Sequence, residues 1–211
     1  MNKKSYLKIA NKAATLQIKE LRKIKKVFNS SFINAVDLII NCKGKIILAG
    51  IGKSGLIAKK ISATFSSVGI PSFFCDPAQA LHGDMGQIEK KDILIILSYS
   101  GNTSELTNML KYANRSRIKI IGVASKSDSL LLKASDVKIL LPKVKESDVI
   151  GMVPTSSTSI TLLLGDCLAT TVMYKRKFSK DKFKIFHPGG NIGSSLLLAK
   201  DIMVKGNKLP I

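Results

Sequence analysis

Apolar positions along the 211-residue chain change their period near residue 44. From 5 to 28 they recur at helical spacing, as Ile9, Ala13 and Leu16, then Leu21, Ile24 and Phe28. Asn29, Ser30 and Ser31 supply amide and hydroxyl caps for a second helix, whose apolar face is Phe32, Val36, Ile39 and Ile40. Both helices precede the first strand and read as packing or subunit-contact elements. From residue 45 short apolar runs take over: KIILAG (45–50), PSFFC (71–75), DILIILS (92–98), IKIIGVA (118–124) and VKILLP (137–142) predict strands. DILIILS is apolar without interruption, as a central strand buried on both faces requires. Helical stretches near 54–67, 103–114 and 127–133 separate these runs. A long helix is expected from about Pro154, behind the hydroxyls of TSSTS, to about Lys177. This alternation predicts an α/β fold with a doubly wound parallel sheet flanked by helices.

Composition narrows the class. Hydrophobic residues make up 45% and charged residues 23%, a globular balance. No apolar run reaches the roughly 18 residues of a membrane span, and no apolar segment follows the N-terminal lysines as in a secretory signal. Cys42, Cys75 and Cys167 lack metal-ligand spacing and read as reduced thiols of a cytoplasmic protein. The formal charge of +20 raises the question of nucleic acid. The lysines are scattered, however, apart from KELRKIKK, and no RNA-binding aromatic motif or zinc-finger spacing accompanies them. A positive field serves equally to attract an anionic metabolite. The expected partners exclude nucleic acid and membrane.

Two strand-to-helix turns carry the candidate chemistry. In GIGKSG the glycines at 50, 52 and 55 keep the G-x-G-x-x-G spacing of a dinucleotide turn, and Asp76 ends the next strand about where a ribose-binding acid sits. A Walker A loop is excluded, because its spacing is missing. The second turn, SYSGNTSE (98–105), gathers Ser98, Ser100, Thr103 and Ser104 around Gly101. Hydroxyls and free N–H groups at a helix start form a small anion site, although the same residues also serve as plain caps. One turn with a lysine and one with hydroxyls point to a phosphorylated metabolite at the strands' carboxyl ends.

GIGKSGLIAKKISATFSSVGIPSFF, ALHGDMG, LSYSGNTSE, PTSSTSITLLLGDCLA and HPGGNIG, in this order, resemble the sugar-isomerase (SIS) domain of D-arabinose-5-phosphate isomerases, from about residue 40 onward. The resemblance implies a flavodoxin-like sheet, a homotetramer, and no cofactor. The reaction it implies interconverts D-ribulose 5-phosphate and D-arabinose 5-phosphate, feeding the synthesis of Kdo and lipopolysaccharide. Another sugar phosphate, a hexulose or heptulose phosphate, is the alternative for an isomerase or a sensor. The domains expected are N-terminal helices (1–42), the SIS domain (43–200), and the start of a linker toward absent CBS domains (201–211). The family's catalytic residues match Lys53, Glu105, Glu146 and His187. The substrate-binding set is expected at Gly52, Ser54, His82, Ser98, Ser100, Gly101, Asn102, Thr103, Ser104, Thr155, Ser156 and Ser157. Some members carry a histidine implicated in inhibitory zinc binding where this chain has Asp76, so no metal site is expected.

This residue set suits aldose–ketose isomerisation. One carboxylate can move a proton between adjacent carbons through an enediol. Lys53 or His82 can face the developing oxyanion, and a histidine near neutrality suits ring opening. Each residue has a plainer role open to it. Lys53 can be a solvated charge, Glu105 can complement a helix dipole, and Glu146 can pair with Lys143 or Lys145. His187 is followed by Pro188, Gly189 and Gly190, a turn able to fix the ring's pose. Its distance along the chain from the first two turns allows a neighbouring subunit to supply it.

Overall fold

The structure, a computed structural model, describes residues 3–187 and Met203. The glycine turn after His187, the end of the SIS domain and, Met203 apart, the expected linker at 201–211 lie outside the described residues.

The five expected strands form one parallel sheet in the order β2-β1-β3-β4-β5. They are β1 (Ile46–Gly50), β2 (Ser72–Cys75), β3 (Ile93–Leu97), β4 (Lys119–Ala124) and β5 (Val137–Leu140). β1 pairs with β3 from Ile46–Ile93 to Gly50–Leu97, and every residue of both strands is buried. Alternate side chains of these β-branched runs feed two cores. Ile46, Leu48, Ile95, Leu97 and Val123 pack with α2 (Ser30–Asn41), α3 (Gly52–Ser67) and α7 (Ser156–Lys175). Ile47, Ala49, Leu94, Ile96 and Ile120 pack on the other face with α5 (Leu106–Arg115) and α6 (Leu130–Ala134). The result is a three-layer, doubly wound sandwich.

The N-terminal helix departs from expectation. α1 (Lys3–Leu21) ends seven residues early and tightens into a 3-10 segment, Arg22–Val27. That segment buries Ile24 and Val27, which a period of three places on the same side. Asn29 caps α2 as expected, accepting from the Ser31 N–H at 2.9 Å. Among the described residues two short α-helices are additional, with a 3-10 turn at Asp84–Gln87. Asp76 caps α4 (Pro77–Ala80) by accepting from the Ala78 N–H, and Ser179 caps α8 (Lys180–Phe186) by accepting from the Lys182 N–H. Asp76 is therefore occupied with a helix start.

Candidate active site

Chain direction turns the sheet's centre into a crevice. After β1 the chain crosses through α3 toward β2; after β3 it crosses through α5 the opposite way toward β4. The β1–α3 and β3–α5 turns therefore flank the topological switch point, where parallel α/β sheets hold ligands. The first turn is tight because the glycines permit close approach: a Cβ on Gly55 would lie 2.7 Å from the Gly50 carbonyl oxygen.

A cleft of about 480 Å³ opens there. Ile51, Lys53 and Ser54 line it from the first turn, and Tyr99 and Ser100 from the second. The β5–α7 connection brings Val144, Glu146, Gly151, Met152 and Pro154, and α7 brings Ser157, Thr158 and Thr161. Lys53 is exposed in the first turn of α3 and makes no hydrogen bond or ion pair among the described residues. A cation at a helix N-terminus is locally unfavourable, so an anion in the cleft is its natural counterpart.

Glu146 stands across from it as the best-held carboxylate of the site. Its Oε2 accepts from the Thr155 N–H at 2.8 Å, the Thr155 hydroxyl at 2.9 Å and the Ser157 N–H at 3.3 Å. Burial opposes its charge, but the donors of Ser157 and Thr155 outweigh burial and hold the carboxyl below its ordinary value. Glu146 is thus ionised at neutral pH. The surface pairing with Lys143 or Lys145 does not form; the carboxylate closes the start of α7 instead.

The β3–α5 turn is built largely from its own side chains. The Ser98 hydroxyl lies 2.8 Å from the Thr103 hydroxyl and accepts from the Gly101 N–H at 3.1 Å. The Ser100 hydroxyl accepts from the Asn102 N–H at 3.3 Å, and Asn102 Oδ1 accepts from the Leu130 N–H at 2.9 Å. Gly101 has φ +71°, and a Cβ there would run into Ser129. Ser98 and Asn102 thus shape the turn, while the N–H groups of Thr103 and Ser104 have no acceptor among the described residues.

The remaining expected residues are placed less directly. Gly52 opens α3 with φ +58° and free space at its Cβ position. Ser104 donates to Glu105 at 2.8 Å, and Glu105 is exposed at the N-cap of α5 without lining the cleft. Its own N–H and the Ser104 hydroxyl lower its pKa. Thr155 is committed to Glu146 and to the Ser147 N–H. Ser156 is buried, its hydroxyl without a partner among the described residues, and it does not line the cleft. His82 is exposed in the turn after α4, outside the cleft lining. His187 ends α8, its ring stacked on Phe183 at 3.8 Å with Nδ1 3.0 Å from the Phe183 carbonyl. Phe186, on the same helix, packs over Gly69, which precedes β2. His187 therefore lies toward the amino ends of the strands, opposite the cleft.

Two features had no forecast. The Tyr99 hydroxyl accepts from the Val144 N–H at 2.8 Å and donates to the Pro142 carbonyl at 3.2 Å, fastening the β5–α7 connection to the β3–α5 turn. Burial raises its pKa, which keeps it a donor. The tip of that connection exposes Val149 (97%), Ile150 and Met152, with Asp148 accepting the N–H groups of Ile150 and Val153 at 2.9 Å. The apolar run at 149–152 has no periodicity to signal its place, and the partners of Tyr99 lie 43 and 45 residues away.

A doubly wound sheet with a lysine, a held carboxylate and hydroxyl-rich turns at its switch point defines an α/β domain with a polar ligand cleft. The chain belongs to the SIS domain family, whose model matches residues 38–171. It is 42% identical over 211 residues to an uncharacterized protein of Rickettsia prowazekii, covering all of this chain and 66% of that one. It is 39% identical over 191 residues to the arabinose 5-phosphate isomerase KdsD of Escherichia coli K12, covering 90% of this chain and 58% of that one. The chain thus spans less than two thirds of these relatives' length. Among solved structures, a protein of E. coli CFT073 in complex with arabinose 5-phosphate superposes with a TM-score of 0.86 at 31% identity, over 89% of this chain and 100% of that one.

Proposed function

We propose that the chain is an aldose–ketose isomerase interconverting D-ribulose 5-phosphate and D-arabinose 5-phosphate, and so supplying Kdo and lipopolysaccharide synthesis in the cytoplasm. The observation that carries this reading is the convergence of Lys53, Ser54, Ser100 and ionised Glu146 on one cleft at the switch point. The likeness to KdsD and to the structure holding arabinose 5-phosphate supports the same substrate class.

On this reading the phosphate lies between the two turns, held by Ser54, Ser100 and the N–H groups of Thr103 and Ser104. The Glu146 carboxylate takes the proton from C1 of the ketose. The electron pair forms the C1–C2 enediol, whose oxyanion Lys53 faces. The proton returns to C2 and the aldehyde forms at C1; the hydroxyl proton moves from O1 to O2. Such positioned proton transfer contributes about 10²–10⁴-fold. Glu105 and His82 attend from the rim. His187 reaches a cleft only from a second copy, in a homo-oligomer that we take to be a tetramer. The exposed apolar tip at Val149 and Ile150 favours such an assembly.

The test is incubation of the chain with D-ribulose 5-phosphate, without added cofactor or metal, followed by NMR. Appearance of the aldose phosphate is expected; an unchanged ketose, or turnover of a hexulose or heptulose phosphate instead, would sink the assignment. Mixing inactive His187→Ala with inactive Lys53→Ala chains should restore activity if the histidine acts across subunits. Mixed oligomers that stay inactive would count against it.

A further inference from the structure

α1 was expected to serve packing or subunit contact, yet two of its polar side chains reach the segment that carries Glu146. Gln17 and Glu20 lie three residues apart and therefore on the same side of the helix. Gln17 Nε2 donates to the Ser147 hydroxyl at 3.1 Å, while its Oε1 accepts from the Ser159 hydroxyl of α7 at 3.2 Å. Glu20 is 3% exposed, and its Oε2 accepts from the Lys145 N–H at 3.1 Å. The same oxygen pairs with Lys23, whose ammonium also donates to the Lys143 carbonyl at 3.1 Å.

The residues on either side of Glu146 are thus each tied to α1. Lys145 is held through its backbone and Ser147 through its hydroxyl, and the Ser147 N–H is further bonded to Thr155. Glu146 itself bridges to the start of α7. A buried carboxylate is unfavourable unless it is paired and hydrogen-bonded, so its placement here, 125 residues from Lys145, calls for a use. Gln17 is equally economical: one amide joins the connection and α7, the two elements between which Glu146 is strung.

We infer that Gln17 and Glu20 are positioning residues for Glu146, fixing the β5–α7 connection so that this carboxylate meets the substrate carbons. The inference rests on the isomerase reading given above. A small displacement of a reacting group costs far more in rate than in stability, up to about 10²-fold for roughly 1 Å.

The test compares the full chain with Gln17→Leu, Glu20→Gln and Glu20→Leu, measuring kcat and KM for D-ribulose 5-phosphate and the exchange of the Thr155 and Ser157 amides. Glu20→Leu is expected to lower kcat about tenfold or more, and Gln17→Leu about threefold or more, with KM moving less than about threefold. Glu20→Gln keeps an oxygen for the Lys145 N–H and should recover most of the rate. Gln17→Leu leaves no ion unpaired, so it carries the test whether or not Glu20→Leu folds. A kcat within about twofold of wild type in Gln17→Leu overturns the inference, even if exchange quickens, because α1 is then mere support. If the unmodified chain isomerises no pentose phosphate, the functional reading fails and amide exchange decides alone. Faster exchange at Thr155 and Ser157 in Gln17→Leu then supports only that α1 fixes the segment around Glu146, and unchanged exchange overturns even that.

Discussion

The β3–α5 turn and the β5–α7 connection supply opposite walls of one cleft and are stabilised in different ways. The turn closes largely on itself: Ser98 meets Thr103, Gly101 meets Ser98, and Asn102 meets Ser100, while Asn102 and Gly101 also reach the Leu130 and Leu131 N–H groups. The connection adds distant partners to its local bonds at Glu146 and Asp148. Tyr99 holds Val144, Glu20 holds Lys145 and Gln17 holds Ser147, across 45, 125 and 130 residues. A short-range turn forms whenever its flanking strand and helix form. A connection held by long-range polar contacts is correct only when the rest of the domain has assembled, and any of its distant partners can disturb it.

The largest effect expected from this difference is at Glu146. Glu146→Gln keeps a carbonyl oxygen for the Thr155 and Ser157 N–H groups, so the connection stays closed while the proposed base is lost. Isomerase kcat should fall by about 10²–10⁴-fold with little change in thermal midpoint. A variant that unfolds much earlier than wild type would show the carboxylate to be chiefly a clasp. If the substrate's C2 still exchanged with solvent deuterium in this variant, the shuttling role would pass to Glu105.

Next in size is Gly101→Ala, aimed at the turn whose bonds are largely local. Its φ of +71° and the collision of a Cβ with Ser129 strain any side chain. Overpacking of this kind costs about 1–3 kcal/mol, and urea unfolding measures it. Amide exchange should quicken most in the turn, less at Val144, which Tyr99 holds, and least at Thr155 and Ser157. Exchange spreading equally through both walls would erase the distinction between them.

That distinction also marks what could be read from the residue order. Five apolar runs became five parallel strands, and the period-3.6 stretches between them became helices, because strand and helix patterns are local. The two turns at the switch point were legible for the same reason, with glycine spacing and hydroxyls inside a few residues. Lys53 and Glu146 were identified through a family resemblance, and the cleft brings them together. The partners of Glu146 were not legible: Thr155 and Ser157 looked like helix caps, and nothing local announced that a carboxylate nine residues upstream would be bound there. Gln17 and Glu20 were hidden more deeply, since a glutamate on a lysine-rich helix looks like a solvated charge until tertiary packing buries it. The short helices α4 and α8 have ordinary caps in Asp76 and Ser179, but at four and seven residues they are too short for a helical period to show.

The smallest expected effect is on the acid side of the stability profile, and it separates the two walls by size. Glu146 and Glu20 both have pKa values lowered in the folded chain. Burial opposes the charge of each, and hydrogen bonds, with Lys23 beside Glu20, more than offset it. In the unfolded chain each titrates at about 4.3. Their stabilisation is therefore complete above that pH and is lost as the pH falls through the lower folded-state values. Glu105 is also lowered, but it stands exposed at the cap of α5, where solvent screens its interactions. Urea unfolding between about pH 3 and pH 6 should show wild-type stability falling toward acid. Glu146→Gln and Glu20→Gln should each flatten the fall measurably, and Glu105→Gln should leave the slope nearly unchanged. A slope that answered to Glu105 as strongly as to Glu146 would mean that the self-built turn, and not the tethered connection, holds the site's acid-sensitive charge.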